Sequence, residues 1–278
     1  MEMRSETRKR YQGAIRAIIF DWAGTTVDYG SMAPVDAFIE LFRRHGVVVS
    51  AEEARRPMGS YKKDHVRLIL AMEPVARQWQ QLRGQAPSPE DTELLYREFI
   101  PLQTEVIAHH ADVIPGVPET MEWLRGQGTA IGSTTGYTRE MMIPLLPRAA
   151  AAGFAPGSTV CADEAPAGRP APWMAIMSAM QLGVYPMEGC VKVGDTVVDI
   201  GEGLNAGMWT VGVTKTGNEL GLSRAEVEAL SEWDLASRLQ AASEHLLGAG
   251  AHYTVEEVAQ LPAIIREIDE RLTRGERP

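Results

Sequence analysis

Four segments of the sequence carry acidic, hydroxyl or cationic side chains in an order that suits phosphoryl transfer. These segments supply Asp21 after an apolar run, Thr134 and Thr135 after a second run, Arg169 in a loop, and Asp195 and Asp199 in a Gly-Asp-x-x-x-Asp motif. A carboxylate can attack phosphorus, and a cation, hydroxyls and backbone N–H groups can neutralise phosphoryl oxygens. Further carboxylates can hold Mg²⁺, which prefers oxygen ligands. The segments therefore predict chemistry through an aspartyl-phosphate, with Asp21 as the nucleophile.

A lysine pair, Lys62 and Lys63, begins a predicted helix after a Gly-Ser break. The positive end of the helix dipole disfavours an ammonium there, and nearby Arg67 acts in the same direction. A neutral lysine can form a Schiff base with a carbonyl substrate, and the iminium can accept the electron pair of a breaking carbon–phosphorus bond. The alternative is that both are ordinary solvated lysines on a helix surface.

The elements that must position these residues predict an α/β fold. Short apolar runs predict strands over 16–20, 129–132, 159–162, 190–193 and 210–213, and helical patterns, including 138–152 and 255–272, alternate with them. This alternation is typical of a doubly wound, Rossmann-like parallel sheet, whose strands end in ligand-binding loops. Residues 31–112 are helical throughout and predict an inserted all-α cap. We therefore predict a core domain from 14–30 and 113–278 and a cap domain from 31–112.

Composition excludes several classes of function. The chain has 278 residues, a net charge of −10 and 45% hydrophobic residues, which argues against nucleic-acid binding and against attachment to acidic membranes. The two cysteines, Cys161 and Cys190, do not form a disulfide framework. Residues 1–12 are charged and lack the apolar core of a signal peptide, and no apolar run is long enough to span a bilayer. We therefore expect a cytoplasmic protein with no nucleic-acid and no membrane partner.

The order of Asp21, the threonine pair, Arg169 and the Gly-Asp-x-x-x-Asp motif resembles the haloacid dehalogenase superfamily, which implies that type of α/β core. Phosphatases and mutases of that superfamily usually carry a second aspartate two residues after the nucleophile, where it protonates the leaving oxygen. Here that position is Ala23. Alanine cannot donate a proton, although its backbone carbonyl can still ligate Mg²⁺. This departure implies either an impaired enzyme or a leaving group that is handled in another way.

Longer motifs resemble the phosphonoacetaldehyde hydrolase family. These are Phe-Asp-Trp-Ala-Gly-Thr-Thr-Val-Asp from residue 20, Arg-Pro-Met-Gly from residue 56, Gly-Ser-Thr-Thr-Gly-Tyr-Thr-Arg-Glu from residue 132 and Pro-Ala-Gly-Arg-Pro from residue 166. The resemblance implies that Asp21 is the nucleophile and that Lys62, rather than Lys63, forms the Schiff base. It also implies that Mg²⁺ is held by Asp21, the Ala23 carbonyl and Asp195, with Asp199 behind them, and that the protein is a homodimer through the cap.

The predicted activity is hydrolysis of phosphonoacetaldehyde, a small-molecule phosphonate, to acetaldehyde and phosphate in the degradation of 2-aminoethylphosphonate. The predicted phosphoryl-binding residues are Thr134, Thr135, Gly136 and Arg169. Met58, His65 and Tyr137 are candidate helpers in proton transfer or positioning. The main alternative is a phosphate-ester phosphatase or phosphomutase of the same fold. A catalytically inactive binding protein and a Schiff-base enzyme without phosphoryl chemistry are two further alternatives.

Overall fold

The computed structural model describes residues 11–107 and 110–278. The charged residues 1–10, over which we predict no signal peptide, lie outside the described part of the chain. Residues 108 and 109, near the end of the segment 31–112 that we predict to be helical, lie outside it as well.

A parallel sheet forms the centre of the core. Its strands are β1 (Ala17–Phe20), β2 (Ala130–Thr135), β3 (Ser158–Cys161), β4 (Cys190–Gly194), β5 (Trp209–Val213) and β6 (Tyr253–Val255). They run in the order β3-β2-β1-β4-β5-β6, and every neighbouring pair is parallel. The sheet with its flanking helices confirms the predicted α/β fold class, and the strand that carries Asp21 lies between β2 and β4.

Among the described residues, five helices lie between β1 and the second segment of the core. They are α1 (Met32–Arg44), α2 (Ala51–Arg55), α3 (Lys62–Leu70), α4 (Glu73–Arg83) and α5 (Pro89–Ile107). Helix α5 packs against α1 and α3, and the rings of Phe38 and Phe99 stack with their centroids 4.3 Å apart. The boundaries predicted for the cap, 31 and 112, enclose these five helices.

The remaining helices belong to the core segment. They are α6 (Val117–Gly126), α7 (Arg139–Met142), α8 (Leu145–Ala151), α9 (Trp173–Gln181), α10 (Val197–Asn205), α11 (Arg224–Ala229), α12 (Glu232–Gly248) and α13 (Leu261–Thr273). Within residues 11–107 and 110–278, the structure contains no helix with both the length and the apolar character needed to cross a membrane.

Three predicted elements differ from the structure. Strand β2 continues to Thr135, so the threonine pair belongs to the strand rather than to a turn. The helix predicted over 138–152 is two helices, because Pro144 lacks the N–H that would continue α7. The strand β6 was not predicted, since it has three residues of which two are only half-buried, and the last helix consequently begins at Leu261 rather than near residue 255.

The two linkers between core and cap pair with each other. Val27 and Val113 form an antiparallel bridge, the Asp28 N–H donates to the Asp112 carbonyl at 3.1 Å, and the Ile114 N–H donates to the Thr26 carbonyl at 2.9 Å. The chain therefore leaves the core and returns to it at one place.

Candidate active site

The sheet register brings the predicted site residues to one edge. Phe20 at the end of β1 is level with Ser133 on β2 and with Val193 on β4. The Asp21 N–H donates to the Val193 carbonyl at 2.8 Å. Asp21, Thr134 and Gly194 each follow one of these level residues, so the polar segments of three adjacent strands meet at the carboxyl edge of the sheet, where open α/β sheets bind ligands.

A small cavity of about 20 Å³ lies at this edge, between core and cap. The sequence-predicted residues that line it are Asp21, Ala23, Met58, Lys62, Thr135, Gly136, Tyr137, Arg169 and Asp195. Its lining also contains residues that the sequence analysis missed: Ser31, Pro34, Gly59 and Thr196. Three predicted residues, Thr134, His65 and Asp199, are fully buried and do not line the cavity.

Arg169 is a buried cation fixed beside the predicted nucleophile. Its Nη1 lies 2.6 Å from Asp21 Oδ1 and 2.9 Å from Asp199 Oδ1. Its Nε donates to Glu202 Oε2 at 2.9 Å, and its Nη2 donates to the Thr134 carbonyl at 2.7 Å. Burial lowers the pKa of the guanidinium, but the three carboxylates outweigh burial and raise it well above the ordinary value. Arg169 therefore keeps a permanent positive charge next to Asp21.

Lys192 and Glu202 complete this buried network. Lys192 Nζ lies 2.8 Å from Asp199 Oδ1 and 3.3 Å from Glu202 Oε2, and it donates to Thr134 Oγ1 at 3.1 Å. The sequence analysis missed both residues, although a lysine inside the apolar strand β4 needs a buried anion as partner. Glu202 lies three residues after Asp199 on α10, on the same side of the helix.

The Thr134 hydroxyl belongs to this network rather than to the cavity. It donates to Glu202 Oε2 at 3.0 Å, and it accepts hydrogen bonds from Arg169 and Lys192. The predicted phosphoryl-binding pair is therefore divided. Thr135 and Gly136 line the cavity, whereas the side chain of Thr134 supports the residues behind it.

Three buried carboxylates form a candidate metal centre. Asp21, Asp195 and Asp199 each offer an oxygen within 4.8 Å of the other two. Asp195 is oriented by the Asn218 N–H, which donates to Oδ2 at 2.7 Å, and by the Thr25 hydroxyl, which donates to Oδ1 at 3.2 Å. Burial, with the neighbouring Asp21 and Asp199, raises the pKa of Asp195 well above its usual range. Such a site can hold a divalent metal ion, whose charge favours the ionised carboxylates.

The balance of charges in this cluster also favours the binding of a metal cation. Four buried carboxylates, including Glu202, face two buried cations. Burial raises the pKa of Asp199, but Arg169 and Lys192 outweigh burial and lower it. Asp199 is therefore paired with Arg169 and Lys192, while Asp21 and Asp195 line the cavity together with Ala23.

Lys62 begins helix α3 of the cap and points its ammonium into the same cavity. The residue is 2% exposed. Its Nζ lies 3.9 Å from Met58 Sδ, 5.2 Å from the centre of the Tyr137 ring and 5.8 Å from that of Phe38. Burial lowers the pKa of Lys62 to about 8, against the attraction of Asp21, which raises it. This amine is therefore neutral far more often at neutral pH than an ordinary lysine.

The neighbouring lysine has the opposite environment. Lys63 is exposed, and its Nζ lies 2.5 Å from Glu93 Oε2. The hydrogen bond with Glu93 raises the pKa of Lys63. Of the two adjacent lysines, only Lys62 lines the cavity and has a lowered pKa.

His65 and Tyr137, two candidate helpers, are both buried. The His65 Nε2–H donates to the Ala54 carbonyl at 2.8 Å, and its ring stacks on Phe38. Burial, with the Lys62 ammonium nearby, holds the pKa of His65 well below its usual value, so the ring is neutral. Burial raises the pKa of Tyr137 well above 10, so its phenol keeps its proton inside the cavity.

The cap lies directly on the core around this cavity. A Cβ added to Gly59 of the cap would lie 2.4 Å from Thr196 Oγ1, and one added to Gly136 of the core would lie 2.8 Å from the Ser60 carbonyl oxygen. Gly59 also has a φ of 81°. Only glycine permits so close an approach, and at residue 59 it also suits the backbone conformation.

Comparison with known proteins defines the class. The sequence profile of the haloacid dehalogenase-like hydrolases matches residues 15–207, which is more than half of the chain. The chain therefore belongs to the haloacid dehalogenase-like hydrolase family.

Similar proteins define the family more narrowly. A phosphonoacetaldehyde hydrolase of Syntrophobacter fumaroxidans is 49% identical over 97% of this chain and 98% of its own length. A phosphonoacetaldehyde hydrolase-like protein of the same organism is 50% identical over 96% and 97%. The crystal structure of a phosphonoacetaldehyde hydrolase like protein from Oleispira antarctica superposes with a TM-score of 0.97 at 45% identity, covering 98% of this chain and 99% of that one. Within its class the chain thus belongs to the phosphonoacetaldehyde hydrolases, which confirms the resemblance, and it is an enzyme.

Proposed function

We propose that this enzyme hydrolyses the carbon–phosphorus bond of phosphonoacetaldehyde, giving acetaldehyde and phosphate, as a step in the degradation of 2-aminoethylphosphonate. One observation carries the proposal. A buried lysine whose pKa is lowered to about 8 lines the same cavity as a buried aspartate beside a fixed arginine. A substrate with an aldehyde on one side and a phosphonate on the other suits these two groups, and the names of the relatives agree with it.

The first step is condensation of the Lys62 amine with the aldehyde, which releases water and gives an iminium after protonation. A neutral amine is required as the nucleophile, and burial supplies it. Mainly apolar groups lie around the Lys62 nitrogen: the rings of Phe38 and Tyr137 and the sulfur of Met58. Such surroundings exclude water from an imine at this position.

In the second step an Asp21 oxygen bonds to phosphorus, and the carbon–phosphorus bond breaks. Its electron pair moves towards the iminium nitrogen, which gives an enamine on Lys62. Protonation of carbon returns an imine, and water releases acetaldehyde from it. A second water hydrolyses the aspartyl-phosphate, so one water is consumed overall.

Arg169, Thr135 and the backbone at Gly136 are the proposed partners of the phosphoryl oxygens. Asp21, the Ala23 carbonyl and Asp195 would hold Mg²⁺, with Asp199 behind them, and the ion when bound supplies further positive charge against the phosphoryl group. Arg169 needs no reorganisation during the reaction, because Glu202 and the Thr134 carbonyl hold it in place.

Ala23 argues against a phosphate-ester phosphatase or phosphomutase. These reactions expel an alkoxide that needs a proton, and alanine has none to donate. An enamine leaving group needs no acid at this position. The fold itself does not discriminate, since a β-phosphoglucomutase from Clostridium difficile shares it at 18% identity with a TM-score of 0.66.

Borohydride trapping tests the proposal. The protein is incubated with phosphonoacetaldehyde and Mg²⁺, reduced with borohydride and mapped by mass spectrometry, while phosphate release is measured in parallel. We expect a reduced adduct on Lys62 together with phosphate. Phosphate without an adduct on any lysine would exclude the imine route.

Lys63→Arg provides the matched control, because it alters the adjacent exposed lysine and keeps the charge opposite Glu93. This variant should retain both adduct and phosphate, whereas Lys62→Arg should lose both. Hydrolysis of simple phosphate esters that survives in Lys62→Arg would instead support the phosphatase alternative.

We also propose a homodimer through the cap. The exposed side chains of Val48 (74%) and Leu82 (56%) on the cap support this, since burying them would gain free energy. Sedimentation velocity should give a dimer that Leu82→Glu weakens. Trp233→Glu, an equally drastic change at an exposed residue of the core (77%), should leave it intact. A monomer at all concentrations would refute the proposal.

A further inference from the structure

Arg55 joins the cap to the core at a place outside the cavity. It is the last residue of α2 and is half-buried. Its Nη1 donates to the Gly30 carbonyl at 2.8 Å, to the Ser31 carbonyl at 3.3 Å and to Asn218 Oδ1 at 3.3 Å. Its Nη2 lies 3.0 Å from Met32 Sδ. One guanidinium from the cap thus contacts both the first linker and the core.

The core partner of Arg55 is the loop 214–222 that follows β5. A Cβ added to Gly221 in this loop would lie 2.8 Å from Arg55 Nε, so the guanidinium packs against the backbone there. The other side of the loop is fastened to the sheet edge. The Thr216 hydroxyl donates to the Gly24 carbonyl at 2.7 Å, and the Asn218 N–H donates to Asp195.

The loop is therefore a fixed anchor, and Arg55 is a cap residue that forms a hydrogen bond with it. Cap rotation about the linkers would move α2 away from this loop and separate Arg55 from Asn218 and Gly221. The hydrogen bonds involve a charged donor, and such bonds are stronger than neutral ones.

We propose that Arg55 is a positioning residue that fastens the closed cap to the core loop 214–222. Its importance for catalysis rests on the proposed function, because closure is what buries the Lys62 amine and excludes water from an imine. The fastening itself can be measured without any substrate.

Arg56 offers a matched control one residue further along the chain. It is exposed, and its Nη2 lies 3.2 Å from Glu52 Oε1 on the same helix. Arg56→Met removes the same charge from the same segment without touching the core loop. Surface pairs of this kind contribute little to stability.

The experiment is trace acetylation of the protein with acetic anhydride, followed by quantification of Lys62 and Lys63 in the same peptide. Lys62 is 2% exposed and reacts only when the cap opens, whereas Lys63 is exposed and serves as an internal standard. We expect Arg55→Met to raise the ratio of Lys62 to Lys63 labelling by about tenfold, from the loss of charged hydrogen bonds. Arg56→Met should leave the ratio unchanged.

A second readout is the pH profile of the labelling. In Arg55→Met the midpoint for Lys62 should move upward from about 8, because an open cap hydrates the ammonium. An unchanged ratio and midpoint in Arg55→Met would overturn the proposal. So would an equal rise in both variants, since that would indicate general loosening of α2.

Asn218→Ala keeps the test decisive if Arg55→Met does not fold. It removes the side-chain oxygen that accepts the hydrogen bond from Arg55, and it retains the backbone N–H that donates to Asp195. We expect a rise of about threefold in the labelling ratio, because one of the charged hydrogen bonds is lost. No rise would overturn the proposal. Failure of the proposed function would give a different result. The unaltered protein would then form no adduct with phosphonoacetaldehyde, while the labelling ratios of the unaltered protein and Arg55→Met would still differ.

Discussion

Replacing Lys62 by methionine should make the protein more stable at neutral pH while abolishing its activity. Burial lowers the pKa of Lys62 from 10.5 to about 8. The unfolded chain therefore holds this proton more tightly than the folded one. A shift of this size corresponds to about 3 kcal/mol, at ~1.4 kcal/mol per pKa unit.

The sign follows from the direction of the shift. Below pH 8 the ammonium is present in both states, and the folded protein bears the whole cost of burying it. Between pH 8 and 10.5 the cost disappears as the folded amine loses its proton, so the free energy of unfolding of the unaltered protein rises with pH. Methionine has a similar volume and no charge, so Lys62→Met should gain about 3 kcal/mol at pH 7 and almost nothing at pH 10.5.

Urea denaturation followed by tryptophan fluorescence at the two pH values measures this gain. Lys63→Met is the control, since its exposed pair with Glu93 should be worth less than about 1 kcal/mol. The reasoning is refuted if Lys62→Met is no more stable than the unaltered protein at pH 7, or if its gain is the same at both pH values.

Three further predictions concern the core side of the site. Chelation of divalent metals should stop phosphate release but not imine trapping, because a metal held by the buried carboxylates would act on the phosphoryl group and not on the aldehyde. Loss of both phosphate release and trapping would contradict this. Thr135→Ala should raise KM with little change in Tm, whereas Thr134→Val should lower the free energy of unfolding by about 1–3 kcal/mol, because buried partners of the hydroxyl are left unpaired. Lys192→Met should lower the free energy of unfolding by about 3–5 kcal/mol in urea denaturation, because the buried carboxylates lose one of their two cations. Adding Glu202→Gln should recover part of this loss, and an additive loss in the double variant would count against the network.

Local sequence signals predicted most of the residues that line the cavity, but not the buried residues behind them. Asp21 and Asp195 were found because each carboxylate stands at the end of an apolar strand. The expectation of an unusual leaving group likewise rested on a single residue type, the alanine at position 23. The division between Thr134 and Thr135 depends on the alternation of side chains along β2, which the shorter predicted strand did not reach. The residues behind the site were not predicted, because each of them contacts residues that lie far away in the sequence.

The same limit applied to the fold. The order of strands and helices was sufficient for the α/β class, since short apolar runs alternate with helical patterns along the sequence. Strand β6 is short, lies at the sheet edge and is half-exposed, so its pattern does not differ from that of a loop. The partners of Arg55 are backbone carbonyls and a loop amide, which no local pattern identifies.

The pairing of the two linkers has a consequence for how such an enzyme diversifies. Because Val27 and Val113 lie side by side, the whole segment between them is joined covalently to the core at one place. In the proposed mechanism, the residues that act on phosphorus lie on the core, and the lysine that binds the aldehyde lies on the attached segment. Exchange of that segment alone can therefore give a lineage a new organic substrate while the ancestral phosphorus chemistry is inherited unaltered.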